Sequence, residues 1–262
     1  MTATASGRNG PLKFGQGNAK LPACVTTFSL PAGHSCPFAA ACRSRSSRKT
    51  GRIRDGRGTA FRCYAASMEA RRPSVRHARW HNLRVLRACR SAAEMARLVL
   101  DSLTPFARLV RVHDSGDFFS PDYFDAWLEV ARERPGTVFY AYTKALPGWL
   151  ARLDRVGDGH AAGAVPNFVL TASYGGTHDH LIAEYGLRSA RVVFSEGEAA
   201  GLGLEIDHDD SHAMAPGPDF ALLLHGTQPP GTPAAAAVAA LRSAGFYGYG
   251  SSVRLPLRLV AG

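Results

Sequence analysis

The sequence lacks any long, uninterrupted run of apolar residues. A membrane-spanning helix needs about 18 of them in succession, and here the longest apolar stretches are short and broken by Gly, Pro or Arg. The first residues, MTATASGRNGPLKFGQGNAK, also lack the charged segment followed by an apolar one that marks a secretory leader. These two absences argue against a membrane or secreted protein, and we expect a soluble chain that does not bind membranes.

Cysteine is scarce, with only 5 residues in a chain of 262. An odd, small number in a chain of this length argues against a disulfide framework and predicts a reducing, cytoplasmic setting. The sequence also lacks the motifs G-x-G-x-x-G after a strand and G-x-x-x-x-G-K-[ST]. Nucleotide phosphates held in either of those glycine-rich loops are therefore not predicted.

Acidic residues are few relative to basic ones, and the net charge is +10. Residues 43–62 hold eight Lys and Arg side chains against the single acid Asp55, so about +7 of the +10 lies in this Arg-rich segment. The segment predicts a nucleic-acid or nucleotide partner, although a solvated loop that only aids solubility explains it about equally well. Aromatic residues occur only at its end, at Phe61 and Tyr64, so base stacking within the segment is not indicated.

Apolar stretches with the composition of buried strands alternate with helix-like segments. The predicted strands are residues 23–33, 108–114, 137–143, 167–173, 190–196 and 220–226. Ser120 and Pro121 are typical of a helix start, and Gly186 of a helix end. About six βα units predict a single α/β domain. A partial or closed (β/α) barrel is the first choice, and a doubly wound open sheet is the alternative.

The predicted domain divides into three parts within residues 1–262. Residues 1–22 form an N-terminal segment, 34–63 contain three cysteines with the Arg-rich segment as an insertion, and 64–250 form the βα body.

Polar residues follow the predicted strands, at the edge where parallel α/β folds bind their ligands. We expect Asp117, Lys144 and Glu196 to be catalytic. The expected cofactor-binding residues are Ser115, Asp117, Ser173 and Tyr174. The two carboxylates suit hydrogen bonds to hydroxyl or amino groups, and the lysine suits a carboxylate or phosphate. Each residue taken singly is better explained as a cap or turn, and it is the convergence of these residues on one edge that predicts a site.

Cys36, Cys42 and Cys63 flank the Arg-rich segment, in HSCPFAAAC and RCYAAS. Zinc sites usually contain tight C-x2-4-C pairs, and the C-x5-C spacing here is longer, although His34 offers a fourth ligand. Three thiolates can instead hold an iron-sulfur cluster that leaves one iron open to a small molecule. Unrelated buried thiols are the remaining interpretation. The other two cysteines, Cys24 and Cys89, are predicted to be core residues.

Several stretches carry a family resemblance. They are FGQGNAKLPACVTTFSLPAGHSCPFAAAC, RCYA, RWHNL, HDSGDFFSPDYFDAWLEVARERPGTVFYAYTKAL and ASYGG. Together they resemble the family named after gene product 88 of mycobacteriophages, over most of residues 14–200. More distantly, the three cysteines ending in CYA, followed by SGDFF and YTK, are similar to a phage family treated as radical-SAM-like. The second resemblance implies a [4Fe-4S] cluster on a partial (β/α) barrel, with S-adenosylmethionine (SAM) on the open iron.

The chain departs from the familiar radical-SAM pattern in two places. C-x5-C-x20-C replaces the compact C-x3-C-x2-C, and SGD stands where G-G-E is expected after the second strand. A cluster is thus better supported than SAM. The polar stretch IDHDDSHAM offers ligand-type residues for a second metal, or else forms a polar loop. The residues concerned are His208, Asp209, Asp210 and His212.

Two functions from different classes remain. The leading one is an iron-sulfur enzyme, radical-SAM-like, that acts on a nucleotide, a nucleic acid or another small anionic substrate and is served by a redox partner protein. The alternative is a zinc-stabilised protein that binds or processes nucleic acid through residues 43–62. If the substrate is instead a small molecule, the Arg-rich segment would serve only as a lid.

Overall fold

The structure is a computed structural model that describes residues 10–249. The ends of the predicted parts 1–22 and 64–250 therefore lie outside the described residues. The strands are β1 (Gly15–Gln16), β2 (Val25–Ser29), β3 (Ser44–Ser46), β4 (Ile53–Asp55), β5 (Leu109–Ser115), β6 (Val138–Thr143), β7 (Phe168–Ser173), β8 (Ser189–Val193), β9 (Glu205–Ile206) and β10 (Phe220–Leu223). The helices are α1 (Tyr64–Arg71), α2 (Pro73–Arg87), α3 (Ala92–Ser102), α4 (Pro121–Glu133), α5 (Leu146–Leu150), α6 (Leu153–Val156), α7 (His180–Glu184), α8 (Glu196–Gly201) and α9 (Pro233–Ser243).

Eight strands form one sheet in the order β1-β2-β5-β6-β7-β8-β10-β9. The six strands from β2 to β10 pair in parallel, and they are the six predicted from the sequence. Two short strands complete the edges: β1 pairs antiparallel with β2, and β9 pairs parallel with β10. The prediction of an α/β domain with about six parallel strands is confirmed.

The sheet is open, so the prediction of a closed barrel is wrong. The edge strands β1 and β9 each have a single partner, and both are only 2 residues long. The alternative, a doubly wound sheet, reverses its strand order at a switch point so that helices cover both faces. Here the six long strands follow chain order without reversal. Right-handed crossovers then carry the helices to one face of the sheet.

The main core lies between that face and the helices. Trp127 on α4 is completely buried, and its ring meets Phe28 of β2 at 5.4 Å and Phe139 of β6 at 6.1 Å between centroids. Helix α4 begins as predicted, because Ser120 Oγ accepts a hydrogen bond from Tyr123 N (3.2 Å) with proline at the first helical position. Burying such rings supplies much of the free energy of folding.

The opposite face of the sheet carries a smaller apolar cluster. Val25, Tyr140, Val169 and Phe220 point to this side, because side chains alternate along each strand. Leu21 and Met214 complete the cluster from the segments outside the sheet. This inner face also carries charged residues, which form part of the site described below.

The Arg-rich segment is a hairpin rather than an extended loop. Strands β3 and β4 pair Ser44 with Asp55, Arg45 with Arg54, and Ser46 with Ile53. Helix α2, which the sequence pattern did not predict, packs beside it.

The prediction for Cys24 is wrong, because Cys24 is exposed just before β2 and is not a core residue. Cys89, just after the end of α2, is partly buried and packs against the main core. Over residues 10–249, every helix is too short or too polar to cross a bilayer.

Candidate functional site

The segment that carries the first two cysteines crosses the carboxyl ends of the parallel strands. It leaves β2 where Leu30 N donates to Ser115 O (2.7 Å) and Ser115 Oγ donates to Leu30 O (2.8 Å). Further on, the N–H groups of Ala40 and Ala41 both donate to Gly175 O, just beyond β7, at 2.9 Å. The cysteine loop, residues 30–42, is therefore fixed across the edge where ligands bind in parallel α/β folds.

Two glycines allow this close approach. Gly116 has φ +96°, and a Cβ there would lie 2.6 Å from Leu30 Cβ and 2.7 Å from Ser35 Oγ. Gly175 has φ +92°, and its Cβ would lie 2.8 Å from Ala41 Cβ. Both glycines belong to the motifs SGD and SYGG, so these motifs serve the docking of the cysteine loop.

The hairpin brings the third cysteine, Cys63, close to the cysteine loop. Ser44 N donates to Cys42 O (2.7 Å), and Cys63 N lies 3.4 Å from Ser44 Oγ. Cys63 is the N-cap of α1. The structure therefore brings Cys36, Cys42 and Cys63 together, and all three thiols are free and partly buried.

The electrostatics of the thiols reflect that proximity. Burial raises the pKa of Cys36, and the charges of Asp117, Cys63 and Cys42 raise it further. Burial and the neighbouring Cys42 raise the pKa of Cys63 to about 11, and the N–H groups that open α1 offset only part of this. A nucleophilic cysteine needs a lowered pKa, so Cys36 and Cys63 do not fit thiolate nucleophilic catalysis.

The residues described contain no site arranged to bind a single metal ion. Within 10–249, no group of three or more His, Cys, Asp or Glu side chains is arranged to hold one metal ion. His34, the proposed fourth zinc ligand, has Nε2 3.0 Å from Ser46 O, and its ring packs 4.7 Å from that of Trp80. The donor set at this edge is thus three sulfurs without an adjacent imidazole aimed at them.

Asp117 is buried next to the cysteine loop, with most of its acceptor capacity in use. Its Oδ1 accepts from Phe118 N (2.7 Å) and Thr143 Oγ1 (2.7 Å), and Oδ2 accepts from Lys144 N (2.8 Å). Burial raises the pKa of Asp117, and these hydrogen bonds offset only part of the rise. Asp117 therefore joins the ends of β5 and β6 and also faces Cys36.

Of the other predicted strand-end residues, Lys144 and Ser173 contact each other, whereas Tyr174 and Ser115 have separate partners. Lys144 Nζ donates to Ser173 Oγ at 2.5 Å, so the ends of β6 and β7 place a cation and a hydroxyl side by side beneath the cysteine loop. Tyr174 instead stacks with Arg191, whose guanidinium carbon lies 4.0 Å from the ring centroid. Ser115 serves as the backbone link to the cysteine loop described above.

Glu196 lies apart from this group. It is exposed in the first turn of α8. Its neighbours cap the helix: Glu198 N donates to Ser195 Oγ (3.1 Å), and Phe194 N donates to Glu198 Oε2 (2.7 Å). The motif SEGE therefore has a local structural role.

Sequence reasoning missed a charged network on the inner face of the sheet. Asp210 is fully buried and binds Lys20 (2.6 Å) and Arg111 (2.8 Å) as ion pairs. Tyr140 and Tyr142 donate to the same carboxylate at 3.1 Å and 3.2 Å. Burial alone would raise the pKa of Asp210, but Arg111 and Lys20 hold it below its ordinary value. A usable signal was the arginine within the β5 stretch RLVRVHD.

This network explains the stretch IDHDDSHAM. Asp207 and Asp210 turn inward to the cations, and the pKa of Asp207 is raised by burial. His212 lies 3.6 Å from Asp207 through Nδ1. The polar loop is thus a set of ion-pair partners, and the described residues hold no metal-ligand group there.

The network extends toward the cysteines. Tyr64, directly after Cys63, donates to the carbonyl oxygen of Asp114. Arg79 lies 3.6 Å from the Asp114 carboxylate and 3.0 Å from Glu69. His225, next to Tyr64 at 5.0 Å between ring centroids, has its pKa lowered to about 4 by burial and by the nearby cations. The inner face and the cysteine loop therefore border one continuous polar region.

Comparisons with known proteins agree with the motifs. The gene 88 proteins of Mycobacterium phage L5 and Mycobacterium phage D29 are each 30% identical to this chain over 139 residues. The matches cover 49% of this chain and 51% and 50% of the two relatives, so the chain spans about half the length of the curated relatives it matches. No solved structure matches. The family model described as gene product 88 matches residues 3–246, and the chain therefore belongs to the gene product 88 family.

Proposed function

We propose that this chain is an iron-sulfur enzyme, radical-SAM-like, in which Cys36, Cys42 and Cys63 bind three irons of a [4Fe-4S] cluster. One observation supports this above the others. Cys36 and Cys42 lie on the cysteine loop across the carboxyl ends of six parallel strands in chain order, and Cys63, at the start of α1, lies close enough for its charge to raise the pKa of Cys36. That strand order is the one a partial (β/α) barrel requires, and ligands bind at that edge.

The donor set fits such a cluster. Three thiolates on one cluster bind different irons, and they lie farther apart than the ligands of one ion. With three protein ligands, one iron stays open, and we propose SAM as its ligand. Such a cluster supplies one-electron chemistry to a molecule at the open iron, while the protein supplies binding and orientation.

The neighbouring side chains have distinct roles in this proposal. Lys144 and Ser173 present a cation and a hydroxyl to the carboxylate or phosphate of a cofactor or substrate. Asp117 is a positioning residue, because its hydrogen bonds fix the ends of β5 and β6. The buried cations Lys20 and Arg111 on the inner face are already neutralised by Asp210, so Lys144 is the cation that would bind an anionic substrate. Nothing in its surroundings supports a catalytic role for Glu196.

Two further expectations belong to this proposal. The cytoplasm would keep the free thiols reduced, and a redox partner protein would reduce the cluster. The zinc-stabilised alternative gains no support from the arrangement of the thiols and His34.

The test is anaerobic reconstitution with iron and sulfide, followed by metal analysis and a visible absorption spectrum. We expect uptake of about four irons per chain. The triple variant Cys36→Ser, Cys42→Ser and Cys63→Ser should lose this uptake. The matched control, Cys24→Ser with Cys89→Ser, removes thiols outside the trio and should keep it.

The outcomes separate the parts of the proposal. Equal iron uptake by both variants, or none by the unaltered chain, would overturn the cluster. Iron uptake without cleavage of added SAM under reducing conditions would uphold the cluster and overturn the radical-SAM chemistry.

A further inference from the structure

A groove of about 330 Å³ lies between the Arg-rich hairpin and helix α2, apart from the charged network of the inner face. Arg48 contributes from the hairpin turn, and helix α2 and the residue after it contribute the rest of the lining. Those residues are Trp80, Leu83, Arg84, Arg87 and Ala88. The volume is at the lower end of the range for small-ligand pockets, so it suits one nucleotide unit and not a duplex.

The cationic wall of the groove comes from one face of α2. Trp80, Arg84 and Arg87 are four and then three positions apart, so their side chains lie above one another on that face. Arg84 and Arg87 are exposed. They stand in the last turn of α2, where the helix dipole stabilises positive charge.

The hairpin holds Arg48 against this wall. Arg76, which is buried on α2, donates through Nε to Arg48 O (3.2 Å) and through Nη1 to Glu69 O (2.5 Å). The hydrogen bond from Arg76 therefore holds the hairpin turn against α2. The guanidinium carbon of Arg48 then lies 5.5 Å from the centroid of the Trp80 ring.

The three arginines of the groove lack an acidic counterpart. Among the residues described, none of the guanidinium groups of Arg48, Arg84 and Arg87 forms an ion pair with a carboxylate. Like charges gathered in one groove repel each other, and a bound anion would relieve that repulsion. Guanidinium groups bind phosphate through paired hydrogen bonds.

We propose that this groove binds phosphate groups of a single-stranded nucleic acid, with one base against the apolar floor formed by Leu83, Ala88 and the partly exposed Trp80. The hairpin continues the cationic surface, since Arg45 and Arg54 are exposed and lie opposite each other. The inference takes from the proposed function only the class of substrate, and binding here does not require a cluster.

The test compares two triple variants in fluorescence anisotropy with a labelled single-stranded oligonucleotide. Arg48→Gln, Arg84→Gln and Arg87→Gln remove the groove cations. The control variant removes the same charge from exposed arginines elsewhere on the protein, through Arg97→Gln, Arg132→Gln and Arg242→Gln. We expect the groove variant to bind at least about tenfold more weakly and its logarithmic salt dependence to fall by about 2, from three lost phosphate contacts. The control should change affinity by less than about threefold.

A second readout uses the unaltered chain, so it does not depend on how the variants fold. The protein has 3 tryptophans, and two of them, Trp127 and Trp149, are 0% exposed. Quenching of tryptophan fluorescence by the oligonucleotide therefore reports on Trp80. Absence of quenching, or equal weakening by both triple variants, would overturn the proposal.

Two competitors distinguish the sources of phosphate. An unlabelled oligonucleotide should displace the probe, while a mononucleotide and inorganic phosphate should compete far less well. Competition by inorganic phosphate as strong as by the strand would overturn the single-strand assignment. Iron uptake keeps the two proposals separate: the groove variant should retain it, and the variant of the three cluster cysteines should lose it while still binding the strand.

Discussion

The charged network on the inner face makes Asp210 the most informative single position for stability. Asp210→Asn keeps the shape of the side chain and removes its charge, which leaves Lys20 and Arg111 buried without their nearest counterion. Breaking a buried ion pair by removing one partner costs about 3–5 kcal/mol. The remaining carboxylates, Asp207 at 4.0 Å from Lys20 and Asp114 at 3.8 Å from Arg111, offset part of this. We therefore expect a loss of about 3 kcal/mol, at the lower end of that range.

Urea unfolding followed by circular dichroism measures this loss. With a slope of about 3 kcal/mol per molar urea, the midpoint should fall by about 1 M. The matched control is Glu94→Gln, which makes the same change in a solvent-exposed pair with Arg90. Exposed pairs contribute little, so its midpoint should stay close to that of the unaltered chain.

The pH dependence gives an independent check on the sign. The folded-state pKa of Asp210 is held below its ordinary value near 3.8. Its charge therefore stabilises the fold fully above that value, and the contribution is lost as the pH falls through the lower, folded-state pKa. The difference between the unaltered chain and Asp210→Asn should shrink below about pH 4. An unchanged midpoint, or a shift no larger than that of the Glu94 control, would refute the reasoning.

Three further changes test other parts of the structure. The pKa of His113 is lowered to about 3 by burial and by Arg111. The unfolded chain therefore binds one more proton than the folded one between about pH 3 and 6.5, and the free energy of unfolding should rise with pH over that range. His113→Asn should reduce this slope, measured by urea unfolding, by up to about 1.4 kcal/mol per pH unit. An unchanged slope would contradict this. Gly175→Ala should lower the free energy of unfolding by at least about 1 kcal/mol. The added methyl group should also push the cysteine loop away at Ala41 and so speed the alkylation of Cys42 by iodoacetamide. Unchanged labelling would argue against the contact between Gly175 and Ala41. Arg76→Met should release the hairpin turn and raise its cleavage rate by trypsin about tenfold at equal global stability, and equal cleavage would show that the hairpin is held by other contacts.

The parallel strands could be predicted because their signals are local. The sequence predicts residues 137–143 and β6 spans Val138–Thr143. The other five predictions also overlap their strands, although β2, β8 and β10 end three or four residues earlier than predicted. Apolar composition and short length are enough to mark such strands. The closure of the sheet could not be predicted in the same way, since it depends on edge strands as short as Gly15–Gln16.

Helix α2 and the hairpin escaped prediction because many of their buried residues are polar, including three of the six buried in α2. Arg76, Arg79 and Asn82 lie on the buried side of α2, so the helical pattern of apolar residues is obscured. In the hairpin, the buried positions are Ser44 and Ser46. A polar side chain that is buried with its partners satisfied looks, in sequence, like an exposed one.

The candidate site was predicted in part. The proximity of the three cysteines and the pairing of Lys144 with Ser173 agree with the placement expected at the strand ends. The partners of Asp210 could not be found, because ion pairing between distant residues leaves no local pattern. Trp80 came beside the arginines only through the packing of α2 on the hairpin.

The contacts around Cys63 also bear on how the protein is made. The backbone N–H and carbonyl of Arg62 both form hydrogen bonds with the side-chain amide of Gln228, 166 positions away. Lys20 likewise forms an ion pair with the distant Asp210. During synthesis the first strands and helices leave the ribosome well before these late partners do. Contacts of such long sequence separation form slowly, so the nascent chain exposes unpaired cations and free thiols for much of its synthesis. Insertion of the cluster that we propose would then be a late event, after the last strand has joined the sheet.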